Sequence, residues 1–166
     1  MSETSSLRPP LTDSRLGALF AYWDSKRDGK PMPRRSDIDP VEMRQWLGNL
    51  LLIDVTAEGK FVYRLYGTRF VDNFGRDMTG RSVDDLPAEQ QERVRGDYEA
   101  VCASRLPRAR LYTASFDVPQ RGPLKRPEPQ VVTWERLVMP LSDGAERVEM
   151  LLVAAYPLPD LRPSSS

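Results

Sequence analysis

The segment "LLLIDVTAEGKFVYRLYG" restricts the fold more than any other part of the sequence, because it predicts a β-hairpin. Leu50–Val55 is an almost continuous apolar run, "AEGK" is a turn, and Phe61–Tyr66 is a second strand. Successive side chains of a strand point to opposite sides, so Arg64 lies on the other face from its neighbours in sequence. We therefore expect one set of alternate residues to face the core, namely Phe61, Tyr63 and Leu65.

Three further strands are predicted near the C-terminal end, in "RARLYTASFDV", "QVVTWERLVMPL" and "RVEMLLVAAYPL". A loop with several prolines, from Pro119 to Pro129, separates the first two. The preceding segment "PAEQQERVRGDYEAVCASR" predicts a helix with Val94, Tyr98, Val101 and Cys102 on its buried stripe. A hairpin, then helices, then three strands indicates an α+β domain with a five-stranded antiparallel sheet and short helices on one face.

An N-terminal amphipathic helix is predicted in "TDSRLGALFAYWDSKRDGK". Its apolar stripe has the spacing i, i+3, i+4 and i+7 and consists of Leu16, Leu19, Phe20 and Trp23. This stripe must be buried against its own domain or against a second copy, and we predict it as a homodimer interface. Asp39 and Pro40 predict the start of a short helix that ends at Gly48. The expected organisation is a disordered tail at 1–10, a helical extension at 11–48, one domain at 49–157 and a second disordered tail at 158–166.

Composition excludes several classes of function. The 24 basic and 24 acidic residues balance, so neither nucleic acid nor an anionic membrane is predicted as a partner. The absence of histidine removes Ser-His-Asp and Cys-His catalysis and histidine ligation of zinc or haem. Cys102 is the single cysteine, so neither an internal disulfide nor a thiolate metal cluster is possible, and no metal is predicted. The polar N-terminus is not a signal peptide, and we predict a cytoplasmic protein.

The segment "YRLYGTRFVDNFGRDMTGRS" contains glycines directly after a strand, a position where nucleotide phosphates are often held. The spacing and the lysine of a phosphate-binding loop are missing, so these glycines are predicted to set bends. Its arginines could meet an anionic ligand, but they are expected to pair with nearby aspartates. Phe70, Phe74 and Met78 would line one face only if Gly75 does not break the helix.

The order of these elements resembles that of PAS domains, in particular the small single-PAS proteins of alphaproteobacteria. The matching pieces are "YW" at Tyr22-Trp23, "PRRSDIDP", "IDV", "YRLYGT" and "DMTGRS". The resemblance implies a sensory module whose short helices enclose a small hydrophobic pocket against the sheet, and a leading helix at a homodimer interface. PAS domains that carry haem or flavin use a histidine ligand or an "NCRFLQ"-type segment, and this sequence has neither, so no cofactor is predicted.

Nine residues are candidates to line the pocket: Phe61, Tyr63, Leu65, Phe70, Phe74, Met78, Leu111, Trp134 and Met139. The predicted function is that of a non-catalytic sensory or adaptor module in signal transduction, which binds a small apolar ligand or a signalling partner protein. The alternative is a small isomerase-like or lyase-like enzyme, which needs an aspartate base deep in an apolar cavity. A third possibility is an interaction protein with a filled core and no pocket.

Overall fold

A computed structural model describes residues 7–116, 130–144 and 146–159 of the chain. The helices are α1 (Ser14–Arg27), α2 (Thr68–Phe74) and α3 (Ala88–Ser104), and the strands are β1 (Leu50–Val55), β2 (Phe61–Tyr66), β3 (Arg108–Phe116), β4 (Gln130–Ser142) and β5 (Val148–Pro157). The strands form one sheet in the order β2-β1-β5-β4-β3, and all neighbours are antiparallel. The predicted α+β class and five-stranded antiparallel sheet are confirmed.

Residues that the sequence analysis assigned to the two tails make contacts with the folded domain. Leu7, within the expected N-terminal tail, packs against the core. The backbone N–H of Leu158 donates to the carbonyl of Thr133 at 2.8 Å. The remaining parts of the predicted tails, residues 1–6 and 160–166, lie outside the described residues, as does the predicted proline-rich loop.

Helix α1 covers one face of the sheet. Its N-cap is Asp13, whose carboxylate accepts from the backbone N–H of Arg15 at 2.8 Å, and its C-cap Asp28 adopts a left-handed conformation. The indole Nε1 of Trp23 donates to the carbonyl of Pro140 at 2.9 Å and ties the helix to β4. The N-terminal extension is therefore part of the same core as the sheet.

The predicted dimer stripe on α1 is buried within a single chain. The exposed fractions of Leu16, Leu19, Phe20 and Trp23 are 0%, 0%, 4% and 0%. These side chains present no surface to a second copy in this structure, which corrects their assignment as a dimer interface. The sequence pattern marked them as buried, and the tertiary structure supplies the sheet that buries them.

The short helix predicted from Pro40 onwards is a run of turns that ends in a 3₁₀ helix, Leu47–Asn49. Most of its hydrogen bonds join residues three apart, as from Trp46 N–H to the Met43 carbonyl at 2.9 Å. Side chains three apart share one side in this tighter geometry. That spacing buries both Met43 and Trp46, whereas Val41 is exposed.

Strand β2 contains a bulge that changes which residues share a face. Leu52 pairs with Leu65 and Ile53 with Tyr63, so Arg64 is the extra residue. As a result Tyr66, rather than Leu65, lies on the face of Tyr63, and their ring centroids are 5.4 Å apart. Strict alternation placed Leu65 on the core face with Tyr63, and the bulge corrects that prediction.

The glycines after β2 serve geometry. A Cβ at Gly67 would lie 2.4 Å from the carbonyl oxygen of Gly48, so only glycine permits this close approach. Gly75 ends α2 in a left-handed conformation with φ of 75°. Met78 therefore belongs to a separate turn. The continuous helix that would have placed Phe70, Phe74 and Met78 on one face does not form. Within the described residues, no helix is both long enough and apolar enough to cross a membrane.

Candidate functional site: a cavity between the sheet and helix α3

A cavity of about 180 Å³ lies between the sheet and helices α2 and α3, on the face opposite α1. An engineered cavity of about 150 Å³ is large enough to hold benzene, so this space suits a molecule with a single ring. Its wall comes from β1, β2, α2, the segment before α3, α3 itself and β3 to β5: Leu51, Tyr63, Tyr66, Phe70, Leu86, Glu89, Gln90, Arg93, Val94, Tyr98, Tyr112, Arg136, Val153 and Ala155.

Aromatic rings form much of this wall. The ring of Tyr66 lies 5.4 Å from that of Tyr63 and 5.7 Å from that of Phe70, measured between centroids. Burial raises the pKa of Tyr63, Tyr66 and Tyr98 above the usual value for a phenol, and it raises the pKa of Tyr112 to about 12. These hydroxyls are therefore protonated at neutral pH and can donate hydrogen bonds.

An ion cluster with a buried pair at its centre lies beside the rings. Asp97 of α3 and Arg136 of β4 are 1% and 4% exposed, and Arg136 Nη2 donates to Asp97 Oδ2. Arg108 Nε and Arg110 Nη1 each lie 3.2 Å from the other carboxylate oxygen of Asp97. The guanidinium of Arg136 also lies 4.9 Å from the ring centroid of Tyr112, in a cation–π contact. Three guanidinium groups thus meet one carboxylate, which leaves an excess of positive charge.

Two polar atoms of the cavity wall are buried without a hydrogen bond of good geometry in the described part of the chain. They are Nε of Arg136 and the hydroxyl of Tyr98. Burial raises the pKa of Tyr98, and the guanidinium of Arg136 and the neighbouring hydroxyl of Tyr63 act against that rise. Unpaired donors of this kind are rare in protein interiors and mark a place where another group can bind.

The structure brings some of the predicted pocket residues together. Tyr63 and Phe70 line the cavity. Phe61 and Trp134 lie behind the wall, with their rings 5.5 Å from Tyr98 and 6.2 Å from Phe70. Met78 is buried but does not line the cavity.

Three other predicted pocket residues belong to the opposite face of the sheet. Leu65 shares a face with Leu52 and Met139, as the register of β1, β5 and β4 shows. Leu111 pairs with Glu135 on that same face and is 55% exposed. Their assignment to the pocket is therefore corrected, since side chains alternate along each strand. The side chain of Phe74 lies outside the described part of the chain.

The sequence predictions missed the polar residues of the wall, above all Arg136. A signal was present, because "WERLVMP" places two opposite charges side by side within an apolar strand. Adjacent residues of a strand face opposite sides, so each charge had to meet its own buried partner. Tyr98 was predicted only as a core residue of α3, and it is buried as expected.

The aspartate base that the enzyme alternative requires does not face the cavity within the described residues. Asp97, the one buried aspartate there, is paired with arginines and is absent from the cavity wall. Asp37 and Asp39 accept backbone hydrogen bonds from Arg34 and Val41. Burial raises the pKa of Cys102 to about 11, so little nucleophilic thiolate exists at neutral pH. In the same described ranges, no group of three possible ligands could hold a metal ion.

A five-stranded antiparallel sheet with a cavity beneath short helices is the architecture of PAS-type sensory domains. The chain belongs to the PAS domain family, whose family model matches residues 11–152. Among solved structures it is similar to the PAS domain of BvgS from Bordetella pertussis, with 14% identity over 90% of both chains and a TM-score of 0.46. It is also similar to the light-state LOV domain of the blue-light photoreceptor Aureochrome1, with 11% identity over 72% of this chain and 88% of the other and a TM-score of 0.44. No curated protein sequence matches the chain.

Proposed function

We propose that this chain is a non-catalytic PAS sensory module whose cavity binds a small molecule and whose occupancy is passed to a partner protein. The observation that carries the proposal is the cavity of about 180 Å³, which combines an aromatic wall with an incompletely paired buried arginine. Plain packing would place neither unfilled space nor a buried guanidinium at one point of a core. The combination favours ligand binding over a filled structural core.

Strand β4 offers a route from the cavity to α1. Arg136 lies in the cavity wall, and its neighbour Glu135 points to the opposite face. There the Glu135 carboxylate accepts from the backbone N–H groups of Thr12 and Asp13, at 2.9 and 2.7 Å. Arg136 and Glu135 are consecutive residues of β4, so a shift of Arg136 on ligand binding would also move the backbone of Glu135. The start of α1 is therefore proposed as the element that reports occupancy.

The proposed output is contact with another protein, either a second copy of the chain or an unidentified signalling protein. Because the apolar stripe of α1 is already buried, this contact would use other surfaces, such as those around the exposed Leu106 and Leu111. We also propose that the protein acts in the cytoplasm without a bound cofactor, and that it is one of the small single-PAS proteins of alphaproteobacteria. Support comes from the lone cysteine, the missing histidine and the matching sequence segments.

The test is an NMR titration of the ¹⁵N-labelled chain with a panel of small neutral and anionic molecules. At least one compound is expected to shift the amide resonances of cavity residues and also those of Thr12 to Leu16. The variant Ala155→Leu places extra methyl groups in the cavity wall and should abolish both sets of shifts. The matched control is Ala109→Leu, the same change on the opposite face of the sheet, which should preserve them.

Two results would contradict this function. If no compound of the panel shifts a cavity resonance, the cavity does not bind small molecules. If cavity resonances shift but those of α1 do not, the proposed route through β4 is wrong. The variant Glu135→Gln separates the two parts, because it should keep the cavity shifts and reduce those of α1.

A further inference from the structure

The cavity wall contains two buried hydrogen-bond donors that the described part of the chain leaves unpaired, Arg136 Nε and the Tyr98 hydroxyl. Tyr98 is fully buried and Arg136 is 4% exposed. Leaving a buried polar group without a partner destabilises the protein, and the cost is larger when the group is charged. A ligand that supplies acceptor oxygens to both atoms would recover that free energy.

The charge around these donors favours an anion. Arg136, Arg108 and Arg110 share the single carboxylate of Asp97, so the cluster is not neutralised by its own residues. Arg93, which is exposed, also lines the cavity and donates to the carbonyl of Thr113 at 3.0 Å. The opposing charge in the wall is Glu89. It is exposed to water, as are Arg93, Arg108 and Arg110, so screening weakens all four charges, and the arginines still outnumber the carboxylate.

The geometry of the guanidinium limits how an anion can approach. The ring of Tyr112 packs against one face of the Arg136 guanidinium, and Nη2 is occupied by Asp97 and by the carbonyl of Arg93, the latter at 3.3 Å. Nε itself has no hydrogen-bond partner among the described residues, so it is available to another acceptor. The hydroxyl of Tyr98 keeps its proton at neutral pH because burial raises its pKa, so it too can donate.

Part of the wall is apolar, and the space is small. Leu51, Leu86, Val94, Val153 and Ala155 contribute only carbon surface, and Phe70 adds an aromatic face. A cavity of about 180 Å³ admits one ring or a compact branched chain. We propose that the ligand is a small monocarboxylate with a compact apolar body, whose carboxylate accepts from Arg136 Nε and the Tyr98 hydroxyl. This inference rests on the proposed function, which requires only that the cavity bind some small molecule.

The probe is benzoate, and its control is benzamide, which has the same shape without the charge. Isothermal titration calorimetry of the full chain is expected to show benzoate binding at least about tenfold more tightly, since a hydrogen bond to a charged group contributes about 1.5–3 kcal/mol. Equal or tighter binding of benzamide would overturn the anionic ligand class and leave the proposed function intact. Binding of neither compound would overturn the ligand class, and the panel titration described above would decide the proposed function separately.

The variant Tyr98→Phe tests the assigned donor, because it removes the hydroxyl and keeps the ring. The affinity of this variant for benzoate is expected to fall at least about tenfold, because one hydrogen bond to a charged acceptor is lost. Tyr156→Phe makes the same change on the other side of the sheet and should leave the affinity unchanged, since Tyr156 is buried away from the cavity wall. An affinity of Tyr98→Phe within twofold of the unmodified chain would overturn the assignment.

The variant Arg136→Lys keeps the charge but removes the Nε donor, and it should weaken benzoate binding at least about tenfold. Circular dichroism establishes whether this variant folds. If it does not, the Tyr98→Phe comparison decides the proposal by itself, because that variant leaves the ion cluster untouched. A folded Arg136→Lys variant that binds benzoate as tightly as the unmodified chain would count against the arginine assignment.

Discussion

The two faces of the sheet are built on different principles although they share every strand. On the α1 face, apolar side chains fill the space and the indole N–H groups of Trp23 and Trp46 both donate to backbone carbonyls. On the other face, tyrosine hydroxyls and an ion cluster surround a cavity. The α1 face is closely packed and its polar groups are satisfied, which is typical of a structural surface. The other face has open space and unpaired donors among the described residues, which is typical of a binding surface.

Strand β4 shows the contrast within two consecutive residues. Glu135 and Arg136 are both buried and charged, yet the carboxylate of Glu135 is satisfied by the backbone of residues 12 and 13. Arg136 has Asp97 as its partner, and its Nε still has no partner within the described ranges. The α1 face therefore uses its charge to anchor a helix, whereas the cavity face holds its charge available for a ligand.

The largest expected effect comes from breaking the ion cluster of the cavity face. Asp97→Ala should lower the free energy of unfolding by about 3–5 kcal/mol, because it leaves the buried Arg136 without its counter-charge. Urea denaturation followed by circular dichroism measures the loss. The control Asp84→Ala also removes an aspartate carboxylate, but from an exposed ion pair with Arg95. It should lower the free energy of unfolding by at most about 1 kcal/mol. Similar losses in the two variants would contradict the burial of the cluster.

Truncation on the α1 face should have the next largest effect. Leu19→Ala removes a fully buried side chain and is expected to cost about 2–5 kcal/mol of unfolding free energy. Leu111→Ala, the same change at an exposed position of the sheet, should stay within about 0.5 kcal/mol. Analytical ultracentrifugation completes the test. If Leu19→Ala changed the oligomeric state and left the stability of the monomer unaffected, the stripe would be an interface between copies after all.

A smaller loss is expected when the anchor of α1 is weakened. Glu135→Gln keeps an acceptor but removes the charge, and it should cost about 1–2 kcal/mol. Hydrogen exchange should accelerate first at the amides of Thr12 and Asp13, which donate to this carboxylate. Glu149→Gln serves as the control, since the ion pair that Glu149 makes within the described residues is an exposed one with Arg35 at 3.9 Å. If hydrogen exchange at these amides is unchanged in Glu135→Gln, Glu135 is not part of the proposed route from the cavity to α1.

Removing the hydroxyl of a cavity tyrosine should have the smallest effect on stability at neutral pH. Its effect should become visible at alkaline pH. The pKa of Tyr112 rises from 10.0 to about 12 through burial, so the folded chain holds this proton more tightly than the unfolded chain. The stabilisation is complete below pH 10 and is lost as pH rises towards 12, with a slope of at most about 1.4 kcal/mol per pH unit for each such tyrosine. Urea denaturation between pH 8 and 11 should show this decline, and Tyr112→Phe should reduce it. A profile that is the same in both proteins would contradict the shift.

The elements that depend on local sequence were predictable. The hairpin strands begin and end where the sequence predicted, at Leu50–Val55 and Phe61–Tyr66, because a short turn joins two adjacent apolar runs. Helix α1 follows from its apolar spacing and from the Asp13 cap, which acts on a residue two positions away. The burial of its stripe was also predictable, although the surface that covers it was not.

The features that distinguish the two faces of the sheet depend on contacts between residues far apart in the sequence. The hydrogen bond from Arg136 to Asp97 joins residues 39 apart, and that from Thr12 to Glu135 spans 123 positions. Likewise, the bulge at Arg64 exists only relative to the partner strand β1, and it turns Tyr66 into the cavity. Local periodicity determines which residues a segment buries, because it depends on the geometry of that segment alone. Which residues meet inside the fold depends on the register between segments, and only the tertiary structure sets that register.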